Sequence, residues 1–145
     1  MMQKNILAVD MGGSKLLAGI VSPHGKVLSV VRAELPRTYD ASLLKSALLS
    51  LLDQVDTSSC VAAGVSLPGL ADSKTGTLLY APFSGIRDFK AAQIISDRTK
   101  LSAAGDNDVN ACAVGEARFG VCQNVSDFLW VTVSNGIGGS IFANG

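Results

Sequence analysis

Histidine is nearly absent from this sequence: His24 is the only one, and it stands in the turn Ser22-Pro23-His24-Gly25. The three cysteines, Cys60, Cys112 and Cys122, lie far apart and form no Cys-x-x-Cys pair. Those two shortages argue against a structural zinc site, whose N and S ligands come in closely spaced sets, so zinc is not expected here. Cys60 and Cys112 fall within apolar patterns, which reads as inert buried thiols in a reducing, cytoplasmic setting. Charge of one sign is missing as well. Twelve Lys and Arg balance twelve Asp and Glu without a basic cluster, so the electrostatic footprint of a nucleic-acid or membrane-surface binder is lacking and neither is expected as a partner. A long apolar run is lacking at the start, because Asp10 interrupts the first one too early for a signal peptide or a membrane span. Low-complexity stretches, charge blocks and short-period repeats are also missing.

What remains is a chain of 145 residues, 48% apolar and only 17% charged, which suits one well-buried mixed α/β domain. Its first stretch, from Ile6 to Val21, joins two runs rich in Ile, Leu, Val and Ala through Asp10-Met11-Gly12-Gly13-Ser14-Lys15. That pattern predicts a β-hairpin with polar chemistry at its tip. Glycines without Cβ let an anion approach backbone N–H groups. Ser14 adds a hydroxyl, Lys15 an ammonium, and Asp10 a carboxylate for Mg²⁺ or its waters, the set that a Mg-nucleotide's terminal phosphates require. Taken alone, the same residues make an ordinary hairpin turn.

Lys26 to Glu34 continues as a third strand, giving an antiparallel meander. Leu43, Leu44, Ala47, Leu48, Leu51, Leu52 and Val55 recur at the spacing of one helical face, with Asp40 or Ser42 placed to cap it. Cys60 to Val65 reads as a buried strand ending in the loop Ser66-Leu67-Pro68-Gly69, a position that commonly carries ligands. Turn signals occupy residues 70–87, and a second helix is predicted from Asp88 to about Lys100 with Phe89, Ala92 and Ile95 inward. A short strand over Leu101 to Ala104 leads to Gly105-Asp106-Asn107-Asp108 and a third helix. Phe128 to Val133 is a strand, Ser134 to Gly139 a glycine-rich turn, and Ser140 to Ala143 a returning strand.

Asp108 carries the most chemical weight among the acids. A carboxylate at a helix start, where the helix favours negative charge, is available to accept a proton late in phosphoryl transfer to an alcohol. Asn107 beside it can hydrogen-bond sugar hydroxyls. As an isolated pair, however, Asn107 and Asp108 read first as helix caps. The final turn, with Asn135, Gly136 and Gly138, offers another set of backbone donors. Two glycine-rich hairpin tips, a Pro-Gly loop and an acid at a helix start, each after a buried strand, form a combination that chance rarely supplies.

With these motifs the chain resembles the ROK family of sugar kinases and sugar-responsive repressors, within the actin-like ATPase superfamily built on RNase H-like domains. Asp10-Met11-Gly12-Gly13-Ser14-Lys15 is similar to the family's first phosphate motif, with Ser14 in place of Thr. Gly64 to Gly69 resembles its sugar-side loop, which implies contacts from Ser66, Pro68 and Gly69 to the sugar. Asn107-Asp108-Val109-Asn110-Ala111 followed by Gly115-Glu116 resembles the block whose Asp is the catalytic base and whose first Asn binds the hexose. Two departures stand out. Ser134-Asn135 replaces the Gly-Thr that usually opens the second phosphate motif, and Phe83 and Ile86 stand where the loop before the second helix usually has Asn and Trp.

The resemblance implies an RNase H-like mixed sheet with a three-strand antiparallel meander and flanking helices over residues 1–125, then the first hairpin of a second domain over residues 126–145. It implies phosphorylation of a hexose or N-acetyl amino sugar with ATP and Mg²⁺. Family members are roughly twice this long, so the 145 residues are expected not to turn over substrate alone and to self-associate, as a homodimer or otherwise. A repressor of the same family is a second reading, although the first strand leaves no room for a preceding helix-turn-helix. A third is a non-catalytic module that self-associates through the apolar strand at 128–133.

Overall fold

The computed structural model describes residues 4–134 and 136–145. The opening hairpin is β1 (Asn5–Met11) and β2 (Lys15–Val21), and β3 (Val27–Glu34) completes the meander. Helix α1 (Ala41–Leu52) follows, then β4 (Cys60–Leu67), which pairs in parallel with β1. A small three-stranded sheet comes next, formed by β5 (Leu70–Asp72), β6 (Thr77–Tyr80) and β7 (Arg87–Phe89). After it come α2 (Ala91–Thr99), β8 (Ala103–Asn107), α3 (Asp108–Phe119), and the hairpin β9 (Phe128–Val133) and β10 (Ile137–Phe142). The main sheet has five strands in the order β3-β2-β1-β4-β8. Its antiparallel half is the meander, and its parallel half requires the helical crossovers α1 and α2.

Alternation along the strands decides which face is dry. Leu7, Val9 and Met11 of β1, Leu16, Ala18 and Ile20 of β2, and Ala63, Val65 and Leu67 of β4 are buried together with Leu44, Leu48, Leu51 and Leu52 of α1 and Ala91, Ala92 and Ile95 of α2. The cap of α1 is Asp40, whose carboxylate accepts a 2.8 Å hydrogen bond from Leu43 N, while Leu43 itself is exposed. On the opposite face, register lines up Val30, Gly19, Ala8, Gly64 and Ala104 in one row across all five strands. Gly19 is needed there, since a Cβ would meet the Ser29 carbonyl of β3.

Several boundaries differ from the sequence expectations. The second helix starts at Ala91 rather than Asp88, because Arg87 and Phe89 pair with Tyr80 and Leu78 in the small sheet and Asp88 takes a left-handed backbone (φ 51°). The strand expected over 101–104 lies over Ala103–Asn107, where Ser66 and Leu67 of a longer β4 pair with Asp106 and Asn107. Gly138 and Gly139 lie within β10, paired with Thr132 and Val131, and not in the turn. Cys60 is buried as expected, but Cys112 is exposed, since α3 fully buries only Ala113. Among the described residues no helix is long and apolar enough to cross a membrane.

Leu48 is fully buried and Leu43 is 42% exposed on the same helix. Urea unfolding should therefore show Leu48→Ala destabilising the chain by about 2–5 kcal/mol and Leu43→Ala by less than about 1 kcal/mol.

Candidate active site

Strands β1, β4 and β8 run parallel, so their carboxyl ends open on one edge of the sheet, the edge where ligands bind in open α/β sheets. Register places Asp10, Ser66 and Asp106 side by side on that edge. The Ser66 hydroxyl donates to Asp10 Oδ1. Asp106 Oδ1 accepts from Asn107 N at 2.7 Å and from Asn110 Nδ2 at 3.3 Å. The chain then turns directly into α3, which sets Asp108 on its first turn at the same edge, partly exposed, with Oδ1 accepting from Val109 N at 2.9 Å.

Asn107 serves as the helix cap that the sequence offered, and it also takes a partner that the sequence did not show. Its Oδ1 caps α3 by accepting from Val109 N (2.9 Å) and Asn110 N (3.3 Å), and its Nδ2 donates to the Gly69 carbonyl at 2.8 Å. The cap thus holds the Ser66 to Gly69 loop against the helix start. Gly69 has a left-handed φ of 121°, and a Cβ there would run into the Tyr80 carbonyl and Pro82 Cδ. Pro68 sits between β4 and this glycine, half-buried.

The β1–β2 turn is anchored from behind. Gly12 N donates to Lys15 O (2.9 Å) within the turn, Leu35 N donates to Ser14 O (2.8 Å), and the Tyr39 hydroxyl donates to Gly13 O (3.0 Å). Gly13, Ser14 and Lys15 are exposed at the tip, and Lys15 forms no ion pair among the described residues. The Gly12 N–H, expected as a phosphate donor, is thus committed to the hairpin. Sequence reasoning missed Tyr39, whose only signal was an aromatic residue between a polar loop and a helix cap. It also gave no site role to Phe83, which lies against Gly13: a Cβ there would be 3.8 Å from the ring. The second glycine hairpin reaches the same edge, since a Cβ on Gly138 would stand 2.9 Å from Val109 Cγ2 on the first turn of α3. Gly136 is exposed, and Asn135 lies outside the described residues.

Asp10, Ser66, Asp106 and Asp108 line a groove of about 770 Å³ whose floor is the row of small residues and whose wall includes Cys112. Desolvation of the sulfur, followed by the negative charges of Asp108, Asp10 and Glu116, pushes the Cys112 thiol up from its ordinary range. Asp10 and Asp108 thus both bear on the Cys112 sulfur. No group of three or more His, Cys, Asp or Glu among the described residues could cage a metal ion. Mg²⁺ bound with a nucleotide needs no cage, because one or two carboxylates, phosphates and waters complete its shell, and Asp10 fits that donor set.

A family model described as ROK family matches residues 6–145. The chain is 33% identical over 141 residues to a β-glucoside kinase of Listeria innocua, covering 97% of this chain and 47% of that one. It is 29% identical over 136 residues to a glucokinase of Streptomyces coelicolor, covering 93% and 42%. Among solved structures, a ROK family glucokinase from Streptomyces griseus in complex with glucose and AMPPNP is similar with 31% identity and a TM-score of 0.78, covering 97% of this chain and 45% of that one. The chain spans about half the length of the curated relatives it matches.

The charges around Cys112 give a direct check on this geometry. Removing a neighbouring carboxylate lowers the cost of the thiolate, so Asp108→Asn and Asp10→Asn should each speed iodoacetamide alkylation of Cys112 near pH 8 by roughly two- to fivefold. Peptide mass mapping reads the rate at each thiol, with Cys122 as the internal reference. Unchanged rates at Cys112 would place the two carboxylates away from the groove.

Proposed function

The chain belongs to the ROK family, and from that premise we propose that it forms the half of an ATP-dependent sugar kinase that bears the first phosphate loop and the catalytic base. The observation that carries this reading is the convergence of the Asp10 to Lys15 turn, Ser66 and Asp108 on one sheet edge. AMPPNP and glucose together in the Streptomyces griseus relative support ATP as the phosphate donor and a sugar as the acceptor. The relatives' names, glucokinase, β-glucoside kinase and N-acetylmannosamine kinase, support a hexose, a hexoside or an N-acetyl amino sugar as that acceptor. We assign residues 126–145 to the opening hairpin of a second domain, because β9 and β10 form a sheet of their own.

In this mechanism the acceptor hydroxyl oxygen attacks the γ-phosphorus, the bond from that phosphorus to the ADP oxygen breaks, and the hydroxyl proton passes to the Asp108 carboxylate. Asn107, Ser66 and the backbone of Pro68 and Gly69 orient the sugar. Gly13, Ser14 and Lys15 hold the terminal phosphate, with Gly136 and Gly138 on the nucleotide's other side, so charge builds up against donors already in place. Asp10 would hold Mg²⁺ through water, and the ion supplies neutralisation of phosphate charge. Ser66 fixes the Asp10 carboxylate by its hydrogen bond.

A coupled ADP-release assay on the protein containing this chain, run with glucose, β-glucosides and N-acetylmannosamine, tests the reading. Asp108→Asn retains an oxygen that can accept from Val109 N but cannot take the proton, so kcat should fall about 10²- to 10⁴-fold while the sugar KM moves only a few fold. Full activity in that variant would refute Asp108 as the base. Failure of the unmodified protein to phosphorylate any of these sugars would refute the kinase reading.

A further inference from the structure

Among the described residues, the side chain that bonds to the backbone of the β1–β2 turn is Tyr39, whose hydroxyl donates to Gly13 O at 3.0 Å. The segment that brings it there is held at both ends. Leu35 is buried and its N–H donates to Ser14 O (2.8 Å), and Asp40 caps α1 by accepting from Leu43 N. The Tyr39 ring itself packs against the hydrophobic core, so the hydroxyl reaches the turn from a fixed direction. That bond is exposed, and water would satisfy the Gly13 carbonyl as well as a phenol does, so the hydroxyl stabilises the fold little. What it adds is orientation.

A trans peptide is planar, with its C=O and N–H pointing in opposite directions, and the described residues contain no cis bond. Turning Gly13 O back toward Tyr39 therefore turns the N–H of the same peptide, that of Ser14, the other way. Gly12 N is taken up by Lys15 O, whereas Gly13 N and Ser14 N have no hydrogen-bond partner among the described residues. The Ser14 N–H is thus an unpaired donor whose direction is set before a ligand arrives, next in the chain to Lys15, which forms no ion pair among those residues. A donor beside a cation suits an anionic oxygen better than a neutral hydroxyl. We propose that Tyr39 is a positioning residue for the nucleotide: by holding Gly13 O it aims the Ser14 N–H at a terminal phosphate, and it has no part in holding the sugar. This inference rests on the sugar-kinase reading given above, in which the turn receives phosphate.

The test removes the hydroxyl alone, in the protein containing this chain. Tyr39→Phe keeps the ring in the core and should leave the melting temperature within about 3 °C of the unmodified protein. A peptide left free to turn must be ordered when the nucleotide binds, so the KM for ATP should rise about tenfold while the sugar KM stays within about twofold. Calorimetric titration with AMPPNP, which reads binding without turnover, should show the same tenfold weakening. An ATP KM and an AMPPNP Kd within about twofold of the unmodified values overturn the inference and leave the kinase reading standing, since Tyr39 would then serve the fold alone. A parallel rise in the ATP and sugar KM, or an ATP defect accompanied by a fall of more than about 5 °C in melting temperature, also overturns it, because general loosening and not an aimed donor gives those patterns. If the unmodified protein phosphorylates none of glucose, β-glucosides and N-acetylmannosamine, the kinase reading fails and this inference falls with it.

Discussion

Parallel pairing of β1, β4 and β8 is the constraint on which the rest depends. Parallel strands finish on the same edge, so three stretches far apart in the chain deliver Asp10, Ser66 and Asp106 to neighbouring positions. The next residues can then turn into a helix whose start faces the same space. Two hydrogen bonds tie that arrangement across strands, Ser66 to Asp10 and Asn107 to Gly69. Both join polar groups at the exposed end of an otherwise apolar sheet, where neither partner bears the full cost of burial.

The two faces of the sheet have different tasks. One is sealed by α1 and α2 over large aliphatic side chains, and it supplies the hydrophobic stabilisation. The other carries the row Val30, Gly19, Ala8, Gly64 and Ala104 and leaves a groove beside α3. Small side chains on that floor stabilise little. They allow close approach, and they put the acids at the end of the row on the wall of an open space instead of inside a packed core. The same openness leaves Cys112 exposed although its neighbours in sequence are apolar.

Much of this was legible in one dimension. The α1 face from Leu44 to Leu52 could be read because the period of a helix is written in side chains three and four apart. The meander could be read because Gly12-Gly13 and Pro23-His24-Gly25 punctuate apolar runs. The Asn107-Asp108 start of α3 could be read because helix ends have few chemical solutions. Less visible were the strands β5, β6 and β7, three or four residues each, too short to display a period, and the left-handed turn at Asp88 that keeps Arg87 and Phe89 out of the helix. Asp106 belongs to a strand rather than to the helix start, and Asn107 ends that strand as well as capping α3, because a parallel partner, invisible locally, extended that far.

By itself the sequence determined the meander, α1, the start of α3, the polar tips and the family, since backbone freedom at glycine, helix periodicity and capping act among near neighbours. Only the tertiary structure decided that the cap Asn107 also clamps the Ser66 to Gly69 loop, that Tyr39 braces the β1–β2 turn, that Gly12 spends its N–H inside the hairpin, and that Phe83 lies against Gly13. Each of these joins a side chain to a distant or opposing backbone group, and which of them meet is set by strand register and sheet order, quantities that no local stretch of residues encodes.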